Sequence, residues 1–460
     1  MKYITLADFQ ELPESYMVNA PNEEELHKVI RGISIDSRSI KANQVFWALR
    51  GPRFDGHDFV IAAIKQGAVA AVINKTNVGY LSDRGLPLIV VRDSLVALQK
   101  MAALHRRKFS IPVIAITGTN GKTTTKEMVA WILQTKMNVH HTEGNLNNHI
   151  GVPLTLLELN SLHDISIVEL GTNHPGEIDL LSSITKPTAA LITNIGRGHL
   201  EFFSSIEKVA QEKLTLFSNV PKSGTLYINL DDKRLASYSN RHENIWYFSL
   251  NGHVKAMIQG NFLELNDQAA GIWQLNTSET IQMQIAGVHN VRNALAAASI
   301  AISLGFNEKE IKSALETFKP YEKRMQIIKN DNITIINDSY NANPDSYLPA
   351  LETLNRLAQK YNNRKLVVMG DMLELGEKSL TLHQDLCSAL LKYEVYGIFT
   401  LGKACSNAAK SFKKKGFKNI YSYDSHEALA TNLKKFLKPN DIILLKGSRG
   451  MQMEKILAYL

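Results

Sequence analysis

Four short runs constrain this chain more than anything else in it. VIAIT (113–117), ISIVEL (165–170), AALITNI (189–195) and GTLYIN (224–229) are almost entirely apolar, and helical patterns separate them. Such strands have no face to give to water, so they belong in a parallel sheet covered by helices on both sides. The more polar stretch from about 240 to 285 is expected to hold antiparallel strands. NVRNALAAASIAISLG then reads as a buried helix capped at its start by Asn290 and ended by Gly305. Beyond FKPYEKRMQ, the runs ITIIND, KLVVMGD, GIFTLGK, NIYSYDS and DIILLKGS again alternate with helices, the pattern of a Rossmann-like domain. The first hundred residues, with GISIDSRSI, NQVFWALRG, FVIAAIKQGAVAAVINK and LPLIVVRDS, read as a small α/β domain. At 460 residues the chain is too long for one core. The expected fold is therefore α/β in three domains. They are a small N-terminal α/β domain (1–107), a central P-loop mononucleotide-binding parallel sheet (108–318) and a C-terminal Rossmann-like domain (319–460).

Composition narrows the class. Two cysteines, Cys387 and Cys405, leave no disulfide framework and no cysteine-built zinc site, which suits a reducing cytoplasm. The start, MKYITLADFQELPESYMV, lacks a signal-peptide pattern, and no apolar run reaches membrane-span length. The net charge of +8 suits a polyanionic substrate such as a nucleotide. HRRK (105–108) and KKK (413–415) have no interleaved aromatic residues, so they read as solvated faces and no nucleic-acid partner is expected.

At 117–124 the first central strand stops in TGTNGKTT and a helix begins. Gly118 and Gly121 permit positive φ and close backbone approach. Amides at a helix start favour an anion, and Lys122 adds a full charge beside them. Thr123 offers a hydroxyl where a magnesium ion bridging two phosphates would sit. The stretch reads as a phosphate loop, although Ile116 stands where the longer Walker pattern has its first glycine. A plain glycine turn is the alternative. Glu169, at the end of another apolar strand, is either a metal-holding acid or a carboxylate emerging from the sheet. His199, just past a third strand, is either structural or part of the same site.

Taken in order, TGTNGKTTTKEM, GNLNNHIGVPLTLL, VELGTNHPGEI, HLEFF, VHNVRNALAA, NDSYNANPDS, VVMGDMLELGE and LLKGSRG resemble the motifs of the Mur ligases over essentially the whole chain. NLNNHIGVP, DSYNANP and GDMLELG are those of the branch that uses D-Ala-D-Ala. The resemblance implies an ATP-dependent ligase of peptidoglycan synthesis, joining D-Ala-D-Ala to UDP-MurNAc-tripeptide through an acyl phosphate. A sibling ligase adding another amino acid, or a phosphate-loop ATPase, are the competing readings.

The resemblance further implies ATP on Gly118, Thr119, Asn120, Gly121, Lys122, Thr123 and Thr124, with Asn290, Arg324, Asp338, Asn341 and Asn343. It implies two Mg2+ ions held by Thr123, Glu169, His199 and a carbamylated Lys213; by residue type alone Lys213 reads as a surface helix lysine. Lys122, Glu169, His199 and Lys213 are the implied catalytic set. Ser37, Arg38, Asp55, Gly56 and His57 are expected to face the UDP end of the donor. Asn145, Asn147, Asn148, Thr172 and His174 should lie along its sugar or peptide, and Ser448 and Arg449 at the acceptor carboxylate. Arg324 alternatively forms a boundary salt bridge, and the 338–343 residues a hydrogen-bonded turn. Lys323 stands where many members have glycine. A monomer that closes by rotation about residues 319–324 is expected.

Overall fold

The computed structural model describes residues 4–238, 242–319, 322–330 and 332–460. Its strands fall into three sheets, of five, nine and six strands. Backbone contacts divide the chain into two compact units: 1–115 with 136–172 and 176–189, and 116–135 with 173–175 and 190–460.

In the first unit β1 (Tyr16–Val18), β2 (Ile33–Ser34), β3 (Val45–Trp47), β4 (Ala70–Asn74) and β5 (Leu88–Val91) form a sheet in the order β1-β5-β4-β3-β2. All neighbours are parallel except β1 with β5. Phe46, Val60, Ala63, Ile73 and Val90 fill the core on one face. After β6 (Val113–Thr117), β7 (Val139–His141) and β8 (Ile165–Glu169) pair in parallel, every residue of β8 being buried.

The helix Ser94–Arg107 corrects one expectation. Its HRRK end is not a solvated face, because His105 and Arg106 are buried. Arg106 donates to the carbonyls of Thr185 (3.1 Å) and Phe109 (2.6 Å), and His105 Nε2 meets Leu159 O at 2.8 Å. A guanidinium has five donors to spend on carbonyls that a buried helix end leaves unsatisfied. KKK at 413–415 is exposed, as expected.

The second unit holds β9 (Ala189–Ile192) but for its first residue, then β10 (Thr225–Asn229), β11 (Asn244–Ser249), β12 (Ile258–Leu265), β13 (Ala270–Leu275) and β14 (Glu279–Ala286). Antiparallel pairing in the polar stretch starts only at β12; β11 is parallel to both β10 and β12. The helix Val288–Ser303 begins two residues before the expected cap. Gly287, with φ +97°, precedes it, and Asn290 is buried in the first turn. The sequence signal was misread because asparagine also serves inside a first turn, where its Nδ2 donates to Ala286 O at 2.7 Å.

The last sheet comprises β15 (Gln326–Asn330), β16 (Ile333–Asp338), β17 (Lys365–Gly370), β18 (Gly397–Leu401), β19 (Ile420–Tyr423) and β20 (Asp441–Lys446), ordered β15-β16-β20-β17-β18-β19. All but the edge pair β15–β16 are parallel. Leu366, Val368, Ile443, Leu445 and Phe399 form one covering core. The register pairs Asp338 and Met369 with Lys446, which brings three strand C-termini to one edge.

Candidate active site

The loop after β6 is fixed by what surrounds it. Gly118 has φ +150°, and a Cβ there would fall 1.9 Å from Thr193 Oγ1. Gly121 has φ +81°, and its Cβ would fall 2.3 Å from Asn293 Oδ1. No other residue fits either place. Thr193 Oγ1 donates to Asn120 O at 2.6 Å, and Asn194 brackets Asn120 by accepting from its N–H (3.0 Å) and donating to its carbonyl (2.9 Å). The helix Lys122–Leu133 follows, and Lys122 Nζ folds back onto the carbonyls of Gly118 (2.9 Å) and Thr119 (3.3 Å). A left-handed residue, a helix N-terminus and a nearby ammonium are features that suit an anion.

Arg324 reaches this loop rather than forming a salt bridge. Its Nη2 donates to Thr123 Oγ1 at 3.0 Å, and its guanidinium lies 3.8 Å from the Tyr340 ring centroid. Its Nε is buried with no hydrogen-bond partner among the described residues. A planar cation stacked on a ring, with donors to spare, suits a phosphate clamp. Lys323 holds φ +64°, the conformation that glycine would supply, and its Nζ pairs with Glu454 at 3.1 Å. Of the third-sheet residues, Asn343 reaches the loop, donating to Asn120 Oδ1 at 2.8 Å. The other implied nucleotide residues bond elsewhere. Asp338 pairs with Lys446 and accepts from Met325 N–H, Asn341 Oδ1 accepts from Ala342 N–H, and Asn290 Oδ1 accepts from Asn293. Ser448 bonds Leu373 N–H and Ala342 O, and Arg449 pairs with Glu454 at 2.6 Å.

Lys213 is not a surface residue. It lies in the helix Ile206–Ser218 and is only 3% exposed. Burial first, and then the charge of Lys122, holds its amine well below the ordinary lysine value, opposed by Glu212. It lies on the same helical face as Val209, Leu216 and Phe217, which are also buried. His199 takes φ +53°, and its Nδ1 lies 2.5 Å from Glu374 Oε2, off the ring's N–H direction. That contact holds the Glu374 carboxyl below its usual value. His174 packs its ring 4.2 Å from that of Phe202.

In the first unit Glu169 is buried, with Oε1 accepting from Asn147 Nδ2 at 2.7 Å. Its Oε2 is buried without a hydrogen-bond partner among the described residues. A buried carboxylate oxygen left over in this way fits a hard cation. Thr172 is buried, and Asn145 is exposed. Asn148 is a turn former, accepting from Ile150 N–H (3.0 Å) and Gly151 N–H (2.8 Å). In the N-terminal sheet, Ser37 is half-buried, and exposed Arg38 pairs with Asp36 at 2.7 Å, whose carboxyl it holds down at about 2. His57 is buried and spends both nitrogens, Nδ1 on Asp55 Oδ1 (2.5 Å) and Nε2 on the Asn74 N–H (2.9 Å). It therefore holds the loop's shape and offers no nitrogen to a ligand. Gly56 is there for space: a Cβ would fall 2.7 Å from Leu49 N and O.

Thr193, Asn194, Asn293 and Glu374 were not foreseen. Threonine and asparagine are common in loops and helix turns, and a lone glutamate is common at the surface, so their types gave no signal. Asp371, His383 and Cys405 also converge, their ligand atoms within 4.8 Å of one another. Their atoms are already engaged. His383 accepts from Met372 N–H and contacts Ser379 O, while Asp371 caps the helix Lys403–Lys414 through Cys405 N–H.

Models of known families match along the chain: a Mur ligase family catalytic domain at residues 29–106, a Mur ligase middle domain at 116–301 and a Mur ligase glutamate ligase domain at 323–449. The UDP-N-acetylmuramoyl-tripeptide–D-alanyl-D-alanine ligase of Bacillus subtilis is 34% identical, over 98% of this chain and 97% of that protein. Its Escherichia coli counterpart is 34% identical over 93% of each. A crystal structure of MurF from Acinetobacter baumannii superposes with a TM-score of 0.85 at 30% identity, covering 100% of this chain and 99% of that one. The MurF ligase of Thermotoga maritima, solved in complex with ADP, gives 0.81 at 27% identity, covering 93% and 96%. Among the described residues no helix is long and apolar enough to cross a membrane.

Proposed function

This chain belongs to the Mur ligase family, and on that footing we propose that it adds D-alanyl-D-alanine to UDP-MurNAc-tripeptide in peptidoglycan synthesis, with ATP giving ADP and phosphate. The observation that carries the reading is the bend at Gly118–Thr124, where two positive-φ glycines, Lys122 and Arg324 converge.

A carboxylate does not acylate an amine at neutral pH, because oxide is a hopeless leaving group. Transfer of the γ-phosphoryl of ATP to the donor carboxylate gives an acyl phosphate. Attack by the dipeptide's amine forms the C–N bond, and phosphate leaves from the tetrahedral intermediate with the C–O electron pair. The work of the chain is to hold crowded negative charge in line and keep water out. Lys122, the loop amides and Arg324 do this for the phosphates. Thr123, Glu169, His199 and Lys213 would hold magnesium, which when bound offsets phosphate charge; the spare Glu169 oxygen supports this assignment. Burial holds the Lys213 amine well below its ordinary value, and an unprotonated amine is the form that captures carbon dioxide, its nitrogen bonding carbon and releasing a proton. That supports a carbamate at Lys213, which replaces an ammonium repelled by the metal with oxygen ligands.

Asn290, Asp338, Asn341 and Asn343 complete the nucleotide site in this reading. Ser37, Arg38, Asp55, Gly56 and His57 serve the UDP end, with His57 acting through the loop. Asn145, Asn147, Asn148, Thr172 and His174 serve the donor peptide, and Ser448 and Arg449 the acceptor. Three domains, at 1–107, 108–318 and 319–460, each present one ligand in a cytoplasmic monomer. The hinge is assigned to 319–324, of which Pro320 and Tyr321 lie outside the described residues. The decisive assay is phosphate release from ATP, expected only when UDP-MurNAc-tripeptide and D-Ala-D-Ala are both present. Release with either omitted, or peptide bonds made without nucleotide, refutes the assignment.

A further inference from the structure

The turn that starts the helix Pro344–Tyr361 touches the phosphate loop by two routes. Asn343, its cap, exchanges amides with Asn120: Nδ2 donates at 2.8 Å, and Asn120 Nδ2 returns a longer contact at 3.4 Å. Two residues on, Asp345 is gripped by Arg197. Its Oδ2 accepts the Arg197 backbone N–H at 2.5 Å, and its Oδ1 accepts from Nε at 2.8 Å and Nη2 at 2.6 Å. A carboxylate in the first turn also suits the helix dipole.

Arg197 follows Gly196, which is wedged between the same two partners. A Cβ on Gly196 would fall 2.6 Å from Asp345 Oδ2 and 3.4 Å from Thr119 Cγ2. The Gly196 N–H donates to Thr119 Oγ1 at 2.8 Å. The contacts therefore close a ring: Thr119, Gly196 and Arg197, Asp345, Asn343, Asn120, and back through the chain to Thr119. Adjacent residues of the loop are braced from one turn that lies over two hundred positions away in sequence. Neither Arg197 nor Asp345 has a place in the chemistry set out above.

We propose that Arg197 and Asp345 are a positioning pair which sets the amide cradle for the nucleotide's phosphates, so that the grip on ATP depends on the Asn343–Asp345 turn. This rests on the loop being an ATP site. A fork held by three donors resists shear in a way that one amide pair does not, so opening the clasp leaves Thr119 and Asn120 to rely on the short contacts from Thr193 and Asn194.

The test uses the full chain and a non-hydrolysable ATP analogue with magnesium. The variants are Arg197→Ala, Asp345→Ala, the double variant, and Arg197→Lys, which keeps the charge and the backbone donor but loses the fork. Each alanine variant should weaken analogue binding and raise the KM for ATP by about tenfold, with kcat at saturating ATP and the KM for D-Ala-D-Ala little changed. The double variant should be no worse than the worse single one, and Arg197→Lys should fall between. Analogue affinity equal to wild type in the alanine variants, effects that multiply in the double variant, or a loss confined to kcat overturns the proposal. If Asp345→Ala does not fold, Arg197→Ala and Arg197→Lys carry the same comparison. Wild-type chain that binds no analogue overturns the ATP reading itself, and with it this pair; wild type that binds alongside unaffected variants overturns the pair alone.

Discussion

Single residues carry the sharpest consequences. An L-residue in the left-handed region costs about 1–2 kcal/mol before any clash. At Gly121 the clash with Asn293 adds to that. Gly121→Ala should therefore weaken ATP-analogue binding by about tenfold or more, read by calorimetry. Lys213→Ala should lower kcat by about a hundredfold or more, and added bicarbonate should not restore it. Wild-type chain in 13C-bicarbonate should show a carbamate carbon resonance that the variant lacks; near-normal turnover in the variant removes the role. The two glycines and Lys122 were legible because a tight turn and an anion both demand those types. The inward position of Lys213 was masked by its residue type, although it shares a helical face with Val209, Leu216 and Phe217. His57 shows the reverse: a residue expected at a ligand proves to have both nitrogens spent, one on Asp55 and one on the Asn74 N–H at the end of β4.

Elements were legible where their patterning was one-sided. The apolar runs became parallel strands because no other arrangement keeps both their faces dry. β14, whose Ile281, Met283 and Ile285 alternate with exposed residues, became antiparallel for the matching reason. β11 departed because its partners on both sides are set by the sheet, not by its own mixed pattern. The helix Glu308–Thr317 starts on a capping box: Asn307 Oδ1 accepts from the Glu310 N–H, and the Asn307 N–H donates to the Glu310 carboxylate. Asn307→Ala should cost about 1 kcal/mol, seen as a lower urea midpoint with unchanged slope. The Val288 helix, started by a glycine with no side-chain cap, gave no such mark.

At the scale of the whole molecule, buried histidines tie stability to pH. Burial, aided by the charge of His163, pushes His140 down to about 3, and burial pushes His289 down to about 4. Unfolded, both titrate near 6.5. Between those values the unfolded chain binds more protons, so stability rises with pH across the window and is lost as acid is added below about 6.5. Thermal midpoints should fall from pH 6.5 towards 4, and more gently in His140→Asn. Sign reversal, with midpoints rising on acidification, would contradict the burial of these rings. Closure belongs to this scale too. X-ray scattering should give a smaller radius of gyration with an ATP analogue, donor and dipeptide all present than with none, and identical profiles would argue against rotation about 319–324.

By itself the sequence determined the class of fold and the glycine–lysine bend between a buried strand and a helix. Both follow from local demands: apolar strands must be covered, and a tight turn with positive φ needs glycine. Tertiary structure decided which side chains are spent and which are spare. Arg106, His57 and Asp338 are consumed by internal partners, while Glu169 keeps an oxygen and Arg324 a nitrogen without one. The same tertiary packing joined Asn343 to Asn120, 223 residues earlier, and Asp345 to Arg197, 148 residues earlier. Hydrogen-bond saturation and burial are properties of neighbours brought together by the folded chain, and no local pattern of residue types encodes them.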